Sequence, residues 1–178
     1  MAFQTQAYSK QALGSAGEIS KAFHSFCNVE TAIAADENCC VGCFVQTKSG
    51  STNESTNENE VIGASGVQIN GNVVGVVVKT NYINSEKATC IYKKGDNLSI
   101  ITAGSVFIEV DNAEVEKGKF VFLKNDSGTL VFDDKMVKAG HTFTGWVVSK
   151  GNAEAKDGVI EITTAQANTF SKIEKIQA

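Results

Sequence analysis

The sequence predicts an all-β fold: a compact β-barrel or sandwich of short antiparallel strands, with an N-terminal arm that contains at most a short helix. Short runs in which apolar and polar residues alternate favour strands over helices. The chain has 16 glycines and no proline, so its turns must be built from Gly, Asn, Asp and Ser. With 178 residues and 42% apolar content, the chain can bury a core of ordinary size.

Residues 1–36 form the predicted arm, which is rich in Ala, Ser, Gln and Glu. The segment SAGEISKAFHSF (15–26) is compatible with a short helix, because its apolar residues recur at helical spacing. These residues are Ile19, Phe23 and Phe26. The arm also carries Phe3 and Tyr8. All of these side chains need a place to bury, either on the core of their own chain or on a partner.

Residues 37–178 form the predicted β domain, which opens with the strand-like run CCVGCFVQT (39–47). The next segment, SGSTNESTNENE (49–60), contains Ser-Thr-Asn-Glu twice. It predicts a solvated, mobile loop, because so polar a run cannot bury apolar surface. Its acidic residues are spaced too widely to favour a Ca²⁺ site.

An Asn-Gly pair predicts a β-hairpin in the next part of the chain. Asn70-Gly71 separates the apolar runs VIGASGVQI (61–69) and VVGVVVK (73–79). Asn-Gly between two apolar runs is the strongest short hairpin signal. The valine-rich second run does not alternate, which predicts a strand that is buried on both faces.

Further strands follow at short, turn-punctuated intervals, which is typical of a barrel or sandwich. The segment GDNLSIITAGSVFIEV (95–110) predicts two strands broken by an Ala-Gly pair, and EKGKFVFLKNDSGTLVF (116–132) predicts a strand, an Asn-Asp-Ser-Gly turn and a strand. The segments KAGHTFTGWVVSKG (138–151) and DGVIEITTA (157–165) complete the series. The motifs KKGD, EKGK and KAGH each place a glycine before a strand, where it would supply the turn.

The five cysteines raise the question of a metal site. An odd number of cysteines without a visible secretory signal predicts reduced thiols in a cytoplasm-like compartment. His24, Cys27, Cys40 and Cys43, with Cys39 among them, have spacings that could suit a tetrahedral zinc ion. Buried core thiols are the favoured interpretation, because unoxidised cysteine is among the most buried residue types. No metal or other cofactor is therefore predicted.

The chain shows no pattern typical of an enzyme. It has two histidines, no G-x-S-x-G elbow and no phosphate-binding glycine loop followed by Lys-Ser/Thr. The net charge of −4 argues against a nucleic-acid partner, which would need a basic patch. No run of 18 apolar residues is present, so no membrane span is predicted.

The order of the glycine-marked strands resembles that of tailed-bacteriophage capsid cement (decoration) proteins. In that family a "G-V" strand precedes a Gly-Asp strand, a Gly-X-Val-X-Val strand and a V-x-x-G-x-x-V strand. The resemblance covers roughly residues 10–165, and the double Ser-Thr-Asn-Glu loop and the cysteine cluster depart from it. The matching residues are Gly63 and Val67, then Gly95 and Asp96, then Gly104, Val106 and Ile108, then Val115, Gly118 and Val121.

The resemblance implies a structural protein of the virion, made in the host bacterial cytoplasm and placed on the outer capsid surface. Its implied partners are the major capsid protein, whose neighbouring subunits it would bridge, and copies of itself. The resemblance also implies a closed oligomer, a homotrimer on local three-fold positions rather than a dimer on two-folds. The candidate capsid or oligomer contacts are Phe3, Tyr8, Ile19, Phe23, Phe26 and Trp146.

Two other functions remain open at this point. A phage tail or baseplate subunit would be built on the same principles, and electron microscopy would separate tail from head labelling. A ligand-binding β-barrel module would need aromatic side chains aligned on one face, and the chain has one Trp and three Tyr. We expect a deletion of residues 1–24 to leave the β domain folded and to weaken capsid attachment.

Overall fold

The computed structural model describes six ranges of the chain: 14–20, 27–48, 60–79, 91–110, 115–150 and 158–165. Within these ranges the chain forms ten strands and no helix, which confirms the predicted all-β class. Residues 21–26, which contain most of the predicted short helix, lie outside the described ranges. None of the described residues belongs to a helix long and apolar enough to cross a bilayer.

The first five strands close into a barrel with the order β1-β3-β2-β4-β5. The strands β1 and β5 pair antiparallel and close the barrel, whereas β1 and β3 pair parallel. A closed barrel leaves no strand edge unpaired. Its strands are β1 (Asn28–Ala34), β2 (Phe44–Thr47), β3 (Glu60–Gly63), β4 (Val73–Val77) and β5 (Asn97–Ala103).

The other five strands form an antiparallel sheet with the order β6-β10-β9-β7-β8. The central strand β9 pairs with β7 on one side and with β10 on the other. The outer strands of the sheet are β6 and β8. The members of the sheet are β6 (Ser105–Glu109), β7 (Phe120–Lys124), β8 (Leu130–Asp133), β9 (His141–Lys150) and β10 (Val159–Thr164).

Two hydrophobic clusters hold this architecture together. One receives a side chain from each of the five barrel strands and fills the barrel. The other combines barrel residues such as Phe44 and Ile101 with sheet residues such as Trp146 and Ile162, so it joins the two sheets. Consecutive residues Val76 and Val77 belong to different clusters. The predicted burial of the valine-rich run on both faces is therefore confirmed.

Glycine marks three strand starts as predicted. Gly95, Gly118 and Gly140 have φ angles of 92°, 93° and 73°, and they precede β5, β7 and β9. These angles fall in the left-handed region, which glycine enters without the steric penalty of a Cβ. The predicted Asn-Asp-Ser-Gly turn is also confirmed, because β7 and β8 pair antiparallel on either side of it.

The hairpin predicted at Asn70-Gly71 is wrong. The strands β3 and β4 do not pair with each other, since both pair antiparallel with β2, which lies between them. The buried side chain of Gln46 explains the local geometry. Its Oε1 accepts the backbone N–H groups of both Asn70 and Gly71 at 2.9 Å, and its Nε2 donates to the carbonyl of Gln68 at 3.0 Å. The Asn-Gly turn is thus fastened to β2 rather than closing a hairpin.

The predicted arm and the predicted strand at residues 39–47 both differ from the structure. Residues 28–34 of the arm form β1, whose Ala32 and Ala34 are buried in the barrel. Alanine is small enough to suit the inside of a narrow barrel, although it has a low strand propensity. Within the predicted strand at residues 39–47, Val41 and Gly42 form a turn, so β2 begins only at Phe44.

The polar loop joins β2 to β3, which pair antiparallel as a hairpin. Residues 49–59 lie outside the described ranges, so the predicted mobility of residues 49–60 stays a prediction for all but the last residue. Glu60 begins β3 and pairs with Lys48, with 2.8 Å between the ammonium and a carboxylate oxygen. This exposed ion pair lies at the base of the loop.

Candidate functional site

A disulfide occupies the cysteine cluster that the sequence offered as a zinc site. Cys40 and Cys43 are bonded to each other across the Val41-Gly42 turn. Two of the four candidate zinc ligands are therefore not available as thiolates, and the expectation of reduced thiols is wrong for this pair. No group of three or more His, Cys, Asp or Glu side chains among the described residues could hold a metal ion, and His24 lies outside them.

The other two described cysteines lie apart from this turn. Cys39 is buried inside the barrel. Burial, together with the nearby carboxylate of Asp36, raises the pKa of the Cys39 thiol to about 12. A thiol with so high a pKa stays protonated and is a poor nucleophile near neutral pH. Cys27 packs beside Gly104 at the other end of β5, so the three candidate ligands that the structure describes do not converge.

Residues 14–20 form a strap that connects the sheet to the barrel. The backbone N–H of Gly17 donates to the carbonyl of Phe107 at 2.8 Å, and that of Ser20 donates to Ser105 at 3.0 Å. On the barrel side, Lys79 donates its N–H to the carbonyl of Gly17 at 2.8 Å. The strap therefore pairs with β6, an outer strand of the sheet, and covers an edge that would otherwise be open.

This strap corrects the expectation that the first 24 residues are separable. A deletion of residues 1–24 would remove the hydrogen bonds to β6 and to Lys79, so it would disturb the described fold as well as any contact with a partner. Ile19 lies in the strap, forms an antiparallel bridge with Val106 and packs against the cluster that joins the two sheets. Its side chain is half-buried within its own chain.

The remaining predicted contact residues fall into two groups. Trp146 is 2% exposed and belongs to the cluster between barrel and sheet. Its side chain is thus part of the core, which leaves almost none of its surface for a partner. The other residues lie outside the described ranges, so their contact with a partner stays a prediction. They are Phe3, Tyr8, Phe23 and Phe26.

The loop after β8 presents an apolar side chain that the sequence reasoning missed. Val137 is 85% exposed. Asp133 braces the loop, because it accepts the backbone N–H of Lys135 at 3.0 Å and the ammonium of Lys138 at 2.8 Å. At the far end of the loop, Nδ1 of His141 lies 2.8 Å from the carbonyl oxygen of Ala139. A valine between charged residues in DDKMVKAG was the available sequence signal.

The Asp133 brace predicts a pH-dependent stability. The hydrogen bond from Lys138, with that from the Lys135 backbone, lowers the pKa of Asp133 to about 2. Because this folded-state pKa lies below that of an unfolded chain, the brace stabilises the fold above about pH 4. Its contribution is lost as the pH falls towards 2. We expect Asp133→Asn to lower the urea midpoint at pH 7 and to leave it unchanged near pH 2.

Asp134→Asn is the matched control for this prediction. The carboxylate of Asp134 is 78% exposed and pairs with Lys119 at 2.7 Å. Exposed ion pairs contribute little, so this variant should unfold much like the unmodified protein at both pH values. An equal urea midpoint for Asp133→Asn and the unmodified protein at pH 7 would contradict the proposed brace.

The chain is similar to known phage capsid proteins in sequence and in fold. The family model described as structural cement protein (E217 gp24/Pam3 gp6) matches residues 3–165. A chain in a solved structure of the capsid of Myoviridae phage XM1 has the same fold, with a TM-score of 0.57 and 16% sequence identity over 92% of this chain and 97% of that chain. No curated protein matches the chain.

The family match spans the strap, the barrel and the whole sheet, so it covers every element described above. It confirms the resemblance that the order of turn glycines and strands indicated. It also confirms the structural, non-catalytic role that the resemblance implied. The chain belongs to the phage structural cement protein family and is a structural component of the virion capsid.

Proposed function

We propose that this cement protein binds the outer surface of the phage head, bridges neighbouring major capsid subunits, and does so as a homotrimer rather than a dimer. Membership of the cement family carries the proposal. The structure supports it with a barrel and a sheet that share one hydrophobic cluster and a strap. Such a body resists deformation, and many copies on a shell would add their contacts through multivalency.

The proposed capsid contact is the braced loop between β8 and β9. An apolar side chain exposed on an ordered loop loses little conformational entropy when it enters a groove on a partner. Val137 is 85% exposed, and the loop around it is held by the hydrogen bonds that Asp133 accepts from Lys135 and Lys138. The other large apolar side chains that the described residues expose are less exposed, Ile91 at 61% and Val29 at 43%, so Val137 offers the largest apolar contact for insertion between two capsid subunits.

The outer edge of β8 supports self-association, and the choice of a trimer over a dimer is our expectation from the family resemblance. This strand pairs with β7 on one side, and within the described residues no strand pairs with its other side. An unpaired edge is a liability that oligomers often hide in an interface. Analytical ultracentrifugation of the full chain should give the trimer mass. A monomer or dimer mass would overturn the trimer and leave the capsid contact to be judged by its own assay.

Capsid binding is tested with heads that lack the protein. Purified protein added to emptied heads should decorate them in electron micrographs, whereas decoration of tails or baseplates would contradict the proposal. We expect Val137→Asp to weaken binding about tenfold or more, because a charge replaces an apolar contact and must be desolvated.

Val137→Ala serves as the matched control at the same position. It removes part of the apolar contact without adding a charge, so its affinity should lie between those of the unmodified protein and Val137→Asp. Both variants should keep the unmodified melting temperature, since the side chain is almost fully exposed and exposed substitutions change stability little. Equal binding by all three proteins would exclude this loop from the interface.

A further inference from the structure

The strap lies in direct backbone contact with the turn that the disulfide closes. A Cβ added at Gly42 would lie 2.7 Å from the Cβ of Ala16 and 3.1 Å from the backbone nitrogen of Gly17. A Cβ at Gly17 would in turn collide with the side chain of Val41. Both glycines have a positive φ, 75° at Gly17 and 80° at Gly42. Because neither carries a Cβ, the strap and the turn approach more closely than other residues would allow.

The same part of the barrel holds both the turn and the strap. The N–H of Gly42 donates to the carbonyl of Val77 at 2.8 Å, and the N–H of Val77 donates to the carbonyl of Cys43 at 3.0 Å. Two residues further along the chain, Lys79 donates its N–H to the carbonyl of Gly17 in the strap at 2.8 Å. A change in the shape of the turn therefore reaches the strap directly.

The disulfide is within reach of small reagents. Cys40 and Cys43 are both half-buried, whereas the neighbouring Cys39 is buried. A disulfide that external thiols can reach is reduced more readily than a buried one. Neither Cys40 nor Cys43 belongs to a hydrophobic cluster of the described residues. Reduction of this pair would therefore leave the packing of the core in place.

We propose that the Cys40–Cys43 disulfide is a reversible redox site that acts as a clasp on the strap. With the disulfide formed, the turn is held in the one shape that fits against the strap at Gly42. Without it, the turn keeps its hydrogen bonds to Val77 but gains conformations in which this close fit is lost, because a cross-link acts mainly by excluding alternative conformations. The strap then separates from the barrel more often.

The clasp opens and closes by thiol–disulfide exchange with a small thiol such as glutathione. The thiolate of one glutathione attacks a sulfur of the pair, the S–S bond breaks, and the other cysteine takes up a proton. A second glutathione attacks the mixed disulfide and releases the remaining cysteine as a thiol, so two electrons and two protons pass to the protein and one oxidised glutathione forms. Oxidised glutathione reverses both steps. Because disulfides are reduced in a cytoplasm and persist outside the cell, a virion component that passes between the two would assemble with the clasp open and close it after release.

Hydrogen exchange measured by NMR on the full chain tests the proposal. The reporters are the backbone N–H groups of Gly17, Ser20 and Lys79, which make hydrogen bonds of the strap. After reduction with dithiothreitol we expect these groups to exchange about tenfold faster, a modest effect because the cross-linked loop is short. The control is the N–H of Val148, which donates to the carbonyl of Lys119 in the sheet and should keep its rate.

Two variants show whether this disulfide causes the change. The double variant Cys40→Ser with Cys43→Ser lacks the cross-link, so its strap should exchange at the faster rate with and without dithiothreitol. Cys27→Ala keeps the cross-link and removes a different thiol, so it should respond to dithiothreitol as the unmodified chain does. Equal strap rates before and after reduction of the unmodified chain would overturn the proposal. A response of the double variant to dithiothreitol, or an equal acceleration at Val148, would overturn it as well.

Alkylation of the thiols supplies a second readout. An alkylating reagent added to the denatured chain should modify Cys40 and Cys43 only after reduction, as mass spectrometry of their peptide would show. Treatment of the reduced native chain with oxidised glutathione should restore the bond and return the strap to its slower exchange. Modification of both cysteines without reductant, or failure of oxidised glutathione to restore the bond, would refute a reversible redox site.

Discussion

Replacing Trp146 with alanine is expected to lower the free energy of unfolding by about 3–5 kcal/mol, the usual cost of truncating a large buried aromatic residue. Trp146 is 2% exposed and lies in the cluster that joins the sheet to the barrel. That cluster also contains Phe44 of β2 and Val76 of β4. The cavity would therefore open between the two sheets, where the backbone of neither can easily collapse to fill it.

Chemical denaturation followed by circular dichroism measures this loss. Trp146→Phe is the conservative partner variant and should cost less than the alanine change, because a ring still fills part of the site. Val137→Ala is the exposed control and should stay within about 0.5 kcal/mol of the unmodified protein. A loss below about 1 kcal/mol for Trp146→Ala would show that the two sheets do not depend on this contact.

Replacing Gly128 with alanine is expected to lower the free energy of unfolding by about 2–5 kcal/mol, which is the second of the two largest effects. Gly128 has a φ of 61°, a conformation that costs an alanine roughly 1–2 kcal/mol. A Cβ built there would also lie 1.7 Å from the carbonyl oxygen of Ala64. The backbone must therefore move, which adds a strain of about 1–3 kcal/mol. The contact joins the β7–β8 turn to the segment that follows β3.

Gly118→Ala separates these two costs. Gly118 also has a positive φ, 93°, but nothing lies within 4 Å of the position its Cβ would take. This variant should lose only the conformational part, about 1–2 kcal/mol. Urea denaturation of both variants measures the difference. Equal losses would mean that the turn can withdraw from Ala64 without cost, and that the junction between barrel and sheet is looser than the structure indicates.

Local patterns predicted the parts of the fold that depend on local physics. Alternation along residues 95–110 predicted two strands and the structure has β5 and β6 there. The glycines of KKGD, EKGK and KAGH predicted turns, and all three have positive φ. In each case the information lies within a few residues, since side chains alternate along any strand and only glycine enters the left-handed region freely.

The same local reasoning failed where distant segments compete for a strand edge. Asn70-Gly71 has the composition of a hairpin turn, yet β2 lies between the strands β3 and β4 on either side of it. The side chain of Gln46 accepts hydrogen bonds from the backbone N–H groups of both turn residues. Backbone hydrogen bonds are alike for every sequence, so the pair of strands that forms is decided by which arrangement buries the most apolar surface. The parallel pairing of β1 with β3 likewise joins segments that are distant in the sequence, so no local pattern predicted it.

At the candidate site, too, local patterns suggested roles that the tertiary packing then decided differently. Spacing alone suggested zinc ligands at Cys40 and Cys43, whereas the turn between them brings the two sulfur atoms into a disulfide. Trp146 was predicted as a contact with a partner, whereas the packing of barrel against sheet places it in the core. The exposed Val137 was overlooked, because a single valine in a charged segment does not reveal whether its loop is ordered.

The sequence by itself determined that this protein is all-β, where most of its turns and strands lie, and that its glycine-marked order is that of a capsid cement protein. Only the tertiary structure decided which strands pair, that a barrel and a sheet share one core, and that residues 14–20 strap them together. The reason is physical: periodicity and turn chemistry act over a few neighbouring residues, whereas burial is a property of segments that meet only after the chain has folded.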